Sequence, residues 1–396
     1  MNYRWSLFLI LGVDLFILLY QALQLSISYN EVEILQNKNS LLSYIIQFSL
    51  DTFGKNDLAL RMPMITMHFA SIFLLYDISK EYILKEKDRV WLIVIYILLP
   101  GVISSALVVN SAGLVLFSLL TFIYLYKKYK YYYSYFLLGL MLLIDRNFIY
   151  LYLSLSIYAF FQKDKKFFIY SIFLLITSWS IYGVSINGIP SGHFLDTIGI
   201  YLAIFSPPLF IYVVYSLYRR YLQNQQDIIW YISSTIFIYA FIVSLRQRIE
   251  IEYTAPYLII SLPIIANTFL SSYRIRLSKF RKKYKYIFLF SLFFLLINSM
   301  ILLLNKEIYR FIKNPHKHFS YDMQIAKELS IQLKKKNIYC IQTDEKLLKR
   351  LNFYGINQCN TYLLKEIKVE KGDADVTVCY RNITVFQATV TKVNNN

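Results

Sequence analysis

Some eleven apolar stretches fill residues 5 to 304, and the short links between them alternate between strongly basic and nearly neutral. A bilayer core about 30 Å thick takes about 20 helical residues to cross, so a chain patterned this way is committed to a membrane bundle. The stretches lie near 5–24, 63–79, 90–108, 111–126, 131–144, 147–162, 167–184, 195–218, 229–245, 255–271 and 286–304. Those at 131–144 and 147–162 are short enough for a tight hairpin or a re-entrant pair. At 57% hydrophobic and a mean hydropathy of +0.44, the 396 residues are too apolar for a soluble enzyme. Ser, Thr and Tyr recur through nearly every stretch, which suits a bundle with a polar interior.

The charge pattern orients this bundle. Arg4, the 80–89 link, Lys127/Lys128/Lys130, Lys163/Lys165/Lys166, Arg219/Arg220 and the 274–285 link hold 20 basic residues. The intervening loops hold six: Lys38, Lys55, Arg61, Arg146, Arg246 and Arg248. Positive charge beside a span resists translocation, so the N-terminus is expected in the cytoplasm and the C-terminal region outside. The net charge of +18 therefore reads as topology, and nucleic acid is not an expected partner. The seven cations of the 274–285 link also suit anionic lipid headgroups. Met1–Gln24 lacks a small-residue cleavage site and is followed by ten more apolar stretches, so it reads as an uncleaved first span.

Three parts emerge: a membrane domain over 1–304, its unusually long first outer loop at 25–62, and a more polar tail over 305–396. Within the loop, Leu41–Phe48 has helical periodicity with Ser43 and Gln47 on one face, predicting an interfacial amphipathic helix that stops at Gly54. The tail reads as a small α/β unit. Helices are expected over Tyr321–Lys335 and Asp344–Tyr354, the latter capped by Thr343 or Asp344 and stopped by Gly355. Strands are expected over Asn337–Ile341, Val376–Cys379 and Ile383–Val390. All three cysteines, Cys340, Cys359 and Cys379, fall here. An oxidising compartment would permit one disulfide and leave an odd thiol, while small buried hydrophobes on strands is the plainer reading.

Residues able to carry chemistry cluster on the outer side. Glu31 and Glu33 follow the first span, and either would serve as general base if burial raised its pKa. Lys55 and Arg61 are candidates to bind a phosphate or pyrophosphate, Arg61 bidentately, and snorkelling to the interface would equally account for Arg61. Arg246 and Arg248, near Glu250 and Glu252, are cations that the topology does not require, which suits either a functional role or a local ion-pair cluster. Asp145–Arg146 is a structural pair or part of the same polar cavity. Asp14, inside the first span, needs a partner or a cavity, and His68 reads as hydrogen-bonded between helices. His193 has no ligand-like neighbour, and His316 with His318 has spacing that suits only a weak metal site.

Asn30-Glu31 at the outer end of the first span, an interfacial helix, and the run Phe53-Gly54-Lys55-Asn56-Asp57-Leu58-Ala59-Leu60-Arg61-Met62-Pro63 together resemble the GT-C membrane glycosyltransferases. The similarity is to the family 39/83 group related to protein mannosyltransferases and aminoarabinose transferases, and it is strongest over residues 5–130. It implies an all-α polytopic protein of about 11 transmembrane helices, GT-C-like, with a small C-terminal α/β extracytoplasmic domain, in a bacterial inner membrane. It also implies a polyprenyl-phosphate-linked sugar donor, inverting transfer on the outer (periplasmic) face, and a lipid, glycan or protein of the cell envelope as acceptor. In that group an aspartate that activates the acceptor stands where this chain has Asn30, so Glu31 or Glu33 would substitute for it. Arg61, with Arg246 and Arg248, would stabilise the leaving lipid phosphate. No cofactor is expected, and the family's His-Pro-Pro-like stretch is replaced by Lys38-Asn39-Ser40, which removes support for a divalent metal. A non-catalytic protein binding or scaffolding a lipid-linked glycan is the alternative that Asn30 favours. The early position of the long loop disfavours an O-antigen polymerase or ligase, and the lack of an inverted repeat disfavours a transporter.

Overall fold

The computed structural model describes residues 3–37, 40–129, 131–183, 192–312, 314–367, 374–380 and 383–392; Lys38 and Lys130 lie outside them. The described residues are 75% helical, with a small mixed sheet near the C-terminus. It divides into two compact units. The first takes in 1–15, 64–106 and 110–299, and the second 16–63, 107–109 and 300–396.

The helices begin with α1 (Tyr3–Gln24), α2 (Tyr29–Gln36), α3 (Leu41–Phe53) and α4 (Asp57–Ser79). They continue through α5 (Glu86–Ile97), α6 (Pro100–Leu107), α7 (Ser111–Tyr129), α8 (Tyr131–Ile144), α9 (Ile149–Phe161) and α10 (Lys165–Tyr182). Then come α11 (Phe194–Phe205), α12 (Pro207–Leu222), α13 (Ile228–Ser244), α14 (Ala255–Ile259), α15 (Leu262–Ile275) and α16 (Ser278–Leu303). The short α17 (Asn305–Ile308) precedes α18 (Asp322–Lys335) and α19 (Glu345–Phe353).

Five helical stretches among the described residues are long and apolar enough to cross a membrane: α1, α4, α7, Ala255–Ile275 and α16. The number rises to seven if each of two bent pairs is one span, so the structure supports membrane helices without reaching the eleven expected. Part of the difference lies in the chain's breaks and part in helices too short to cross. The 90–108 stretch is two helices, α5 and α6, bent by 63° at Pro100, which has no N–H to continue the ladder. The 195–218 stretch turns by 103° between α11 and α12. Ser206 sits there at φ +66°, outside the right-handed helical region that its following proline disfavours. At 14 residues, α8 is about 21 Å long and falls short of the bilayer core.

Tyrosine hydroxyls hold the helices of the first unit together by donating to carbonyls across helices. Tyr152 reaches Leu138 at 2.9 Å, Tyr170 reaches Tyr135 at 2.7 Å, and Tyr257 reaches Asn147 at 2.8 Å. Asp14 has the partner it needs: its carboxylate lies 2.9 Å from Nε2 of His68, both are buried, and the His68 ring stacks on Tyr96 with centroids 5.8 Å apart. Replacing His68 alone by Phe strands a buried carboxylate and is expected to cost about 3 to 5 kcal/mol. The double variant Asp14→Leu/His68→Phe is expected to recover most of that loss. Thermal unfolding of the four proteins in one detergent measures the coupling, and equal destabilisation of single and double variants would refute it.

In the second unit the strands β1 (Cys340–Gln342), β2 (Asn357–Glu366), β3 (Val376–Tyr380) and β4 (Ile383–Lys392) form a sheet of order β1-β2-β4-β3. The β1–β2 pair is parallel and the others antiparallel. Helices α18 and α19 supply Ile325, Leu329, Leu333 and Leu351 to a core completed by Ile341 and Phe386. The predicted caps are present: the Asp344 carboxylate accepts from the Lys346 N–H, and Gly355 adopts φ +83°. Cys340 and Cys359 are disulfide-bonded across the parallel pair and Cys379 is an exposed thiol, so two of the three cysteines are cross-linked rather than serving as plain core hydrophobes.

Candidate functional site

The segment after α1 folds as two helices, α2 and α3. At its start, Ser28 Oγ accepts from the Glu31 N–H at 3.2 Å while Glu31 Oε2 accepts from the Ser28 N–H at 2.8 Å, a reciprocal capping box that fixes the entry to α2. Ser43 and Gln47, on one face of α3 as expected, both donate to the Leu35 carbonyl, at 3.1 and 3.0 Å. That polar face therefore packs inward on the end of α2, and Tyr44 and Phe48 point outward. Gly54 stops α3 at φ +82°. Pro63 lies inside α4 and leaves the Ala59 carbonyl without its helical donor. The Ser49 hydroxyl of α3 fills that place at 2.6 Å.

Arg61, expected to face a donor phosphate, is instead completely buried. Its Nη1 donates to the carbonyls of Leu25 at 2.9 Å and Ala22 at 3.2 Å, and its Nη2 donates to the Ser26 carbonyl at 2.9 Å. Nη2 also meets Glu31 Oε2 at 3.3 Å, and Asp57 Oδ1 lies 3.9 Å from Nη1. The guanidinium thus caps carbonyls at the end of α1, where helices leave acceptors unpaired and favour positive charge.

Glu31 is equally committed. Besides Ser28 and Arg61, its second oxygen accepts from the Val109 N–H at 3.0 Å, and it has no exposed surface. Asp57 completes the cluster by accepting from the Tyr354 hydroxyl at 2.5 Å and from Lys327 Nζ at 2.8 Å. Lys327 also donates to the Leu23 carbonyl at 2.7 Å. Burial and the Asp57 charge push the Tyr354 phenol well above its ordinary pKa, so it acts as a neutral donor. Two cations and two carboxylates balance. The geometry makes Glu31 and Arg61 structural residues, with no access for an acceptor hydroxyl or a lipid phosphate.

What α2 presents outward is different. Asn30 and Glu33, three residues apart and therefore on one face, are both exposed. The Glu33 carboxylate raises the pKa of the Tyr29 phenol one turn back, chiefly through a side-chain hydrogen bond. Over the Tyr29 ring stand two ammonium groups of α19, Lys346 at 5.5 Å and Lys349 at 5.6 Å, the second also 2.7 Å from Glu345. Sequence distance hid these lysines, since only the packing of α19 on α2 brings them over the Tyr29 ring. Lys55 is exposed on the turn between α3 and α4 and has no acid within ion-pair range among the described residues.

The remaining candidates scatter. Arg246 and Arg248 belong to the first unit, where both are exposed on the turn after α13. In the same unit Arg146 Nη2 donates to the Tyr253 hydroxyl at 3.0 Å and the guanidinium stacks on that ring, while the Asp145 carboxylate caps the following turn. His316 and His318 diverge. The former lies 3.3 Å from Glu366, and the latter is buried between the Asn305 carbonyl and Ser320. Burial holds His318 below its usual pKa. No group of three or more potential metal ligands occurs among the described residues. No protein family, curated protein or solved structure matches the chain.

Removal of the Arg61 charge leaves the buried Glu31 carboxylate without a cation, while Asp57 keeps Lys327. Arg61→Met is expected to lower stability by about 3 to 5 kcal/mol, whereas Glu31→Gln, which keeps one of the two acceptor oxygens and leaves Asp57 beside Arg61, is expected to lose less. Unfolding midpoints of the purified full-length proteins rank the two, and the reverse order would contradict the structural role.

Proposed function

We propose that the chain is an integral membrane glycosyltransferase of GT-C architecture. It moves a sugar from a polyprenyl-phosphate donor to a lipid, glycan or protein of the cell envelope, on the outer face of a bacterial inner membrane. The observation that best supports this reading is the exposed face of α2: a carboxylate at Glu33, one turn from the amide at Asn30, and the ammonium groups of Lys346 and Lys349 over the ring of Tyr29, which the Glu33 side chain hydrogen-bonds. Glu33 takes the proton of the acceptor hydroxyl as that oxygen bonds to the anomeric carbon. The bond from that carbon to the lipid phosphate oxygen breaks, and the lysines offset the charge left on the phosphate. The base thus moves by one helical turn from the position that carries aspartate in the resembled family.

The orientation rests on the alternating basic links and on the disulfide, which an oxidising compartment maintains. Cys379 is the one free and exposed thiol among the described cysteines. A membrane-impermeant maleimide is expected to label it in cells with a permeabilised outer membrane but intact inner membrane. Labelling only after the inner membrane is lysed would reverse the topology.

A second reading, binding of a lipid-linked glycan without turnover, is favoured by the amide at Asn30 and the full commitment of Glu31. Mass spectrometry of envelope glycolipids and glycoproteins in deletion and complemented strains separates the two. Transferase activity requires a sugar lost on deletion and reduced about a hundredfold or more in Glu33→Gln. Full restoration by Glu33→Gln would leave the binding reading.

A further inference from the structure

A cavity of about 310 Å³ opens in the first unit between α5, α12, α15 and α16. Its walls are apolar, with Trp91, Ile95, Ile265, Phe269, Phe288 and Leu292 among them. Lys87 and Lys285 stand at its mouth with Asp88. Asp88 is already ion-paired with Arg274, so its charge is cancelled. Neither Lys87 nor Lys285 has an acid within ion-pair range among the described residues. The 274–285 link beside the mouth carries seven cations and no acid.

We infer that this cleft binds one acyl chain of an anionic phospholipid, whose phosphate sits between Lys87 and Lys285. Three observations fix the occupant. First, from Lys87 to Ile95 the cleft follows eight residues of α5, about 12 Å, close to the depth of one leaflet's hydrocarbon. A lipid of that leaflet fits this depth, whereas a chain many times longer does not. Second, the charged end and the apolar end are segregated as they are in a phospholipid. Third, the mouth lies on the basic links, where anionic headgroups are attracted by each lysine. Trp91 forms part of the wall, edge-on to Phe288 with centroids 5.7 Å apart. The inference does not depend on the transferase reading, because a chain with no catalytic activity would keep the same cleft.

Trp91 supplies the test. The full-length chain with Trp5→Phe, Trp179→Phe and Trp230→Phe, reconstituted in vesicles, reports contact with brominated acyl chains as fluorescence quenching. Should that protein fail gel filtration, the difference between wild type and Trp91→Phe provides the same signal. Brominated phosphatidylglycerol is expected to compete for the site about tenfold better than brominated phosphatidylcholine. Lys87→Gln/Lys285→Gln, two substitutions at the cleft mouth, is expected to abolish that preference, and Ala266→Phe in the wall to reduce quenching by both lipids. Equal quenching by the two lipids in the parent would overturn the inference. A preference that survives neutralisation of both lysines, or displacement of the brominated lipid by equimolar polyprenyl phosphate, would also overturn it.

Discussion

A guanidinium held away from water must be given acceptors, and much of the second unit is arranged around meeting that need at Arg61. The end of α1 turns three carbonyls toward it, α2 contributes Glu31, and the first turn of α4 contributes Asp57. Through Asp57 the demand passes to Lys327 of α18 and to Tyr354 just past α19. Each of these groups would be costly to bury alone. Together they fix the angle at which the first loop leaves α1, and so the face that α2 turns outward.

The tail was largely legible because its signals are local. Asp344 and Gly355 mark the ends of α19, and apolar periodicity marks α18. Strand β2 was not legible, since Leu364 is its only fully buried residue and the rest of Asn357–Glu366 has no apolar alternation. The membrane segments show a different gap. Hydropathy records composition along a stretch but not its direction, so 195–218 reads as one span although Ser206-Pro207-Pro208 turns the chain sharply.

At the candidate site, the residue types were visible and their duties were not. Ser28 and Glu31 have the spacing of a capping box, which assigns Glu31 to its own helix end before any chemistry is considered. In sequence Arg61 reads as a cation near a helix start, yet a cation beside a helix C-terminus satisfies carbonyls equally well. Glu33 remained available because it faces away from that cluster. Lys346 and Lys349, which stand over the Tyr29 ring one turn back, lie more than 300 residues further along the chain, beyond any local pattern.

Loops between helices ordinarily absorb insertions and deletions. The link between α3 and α4 has no such freedom, because Ser49 stands in for the backbone donor that Pro63 lacks. Adding or removing one residue at 54–56 would carry that hydroxyl off the Ala59 carbonyl and break α4 one turn inside its start. Homologues of this chain should therefore hold this turn to a constant length while varying its composition, and a homologue that loses Pro63 should lose the requirement for a hydroxyl at position 49 as well.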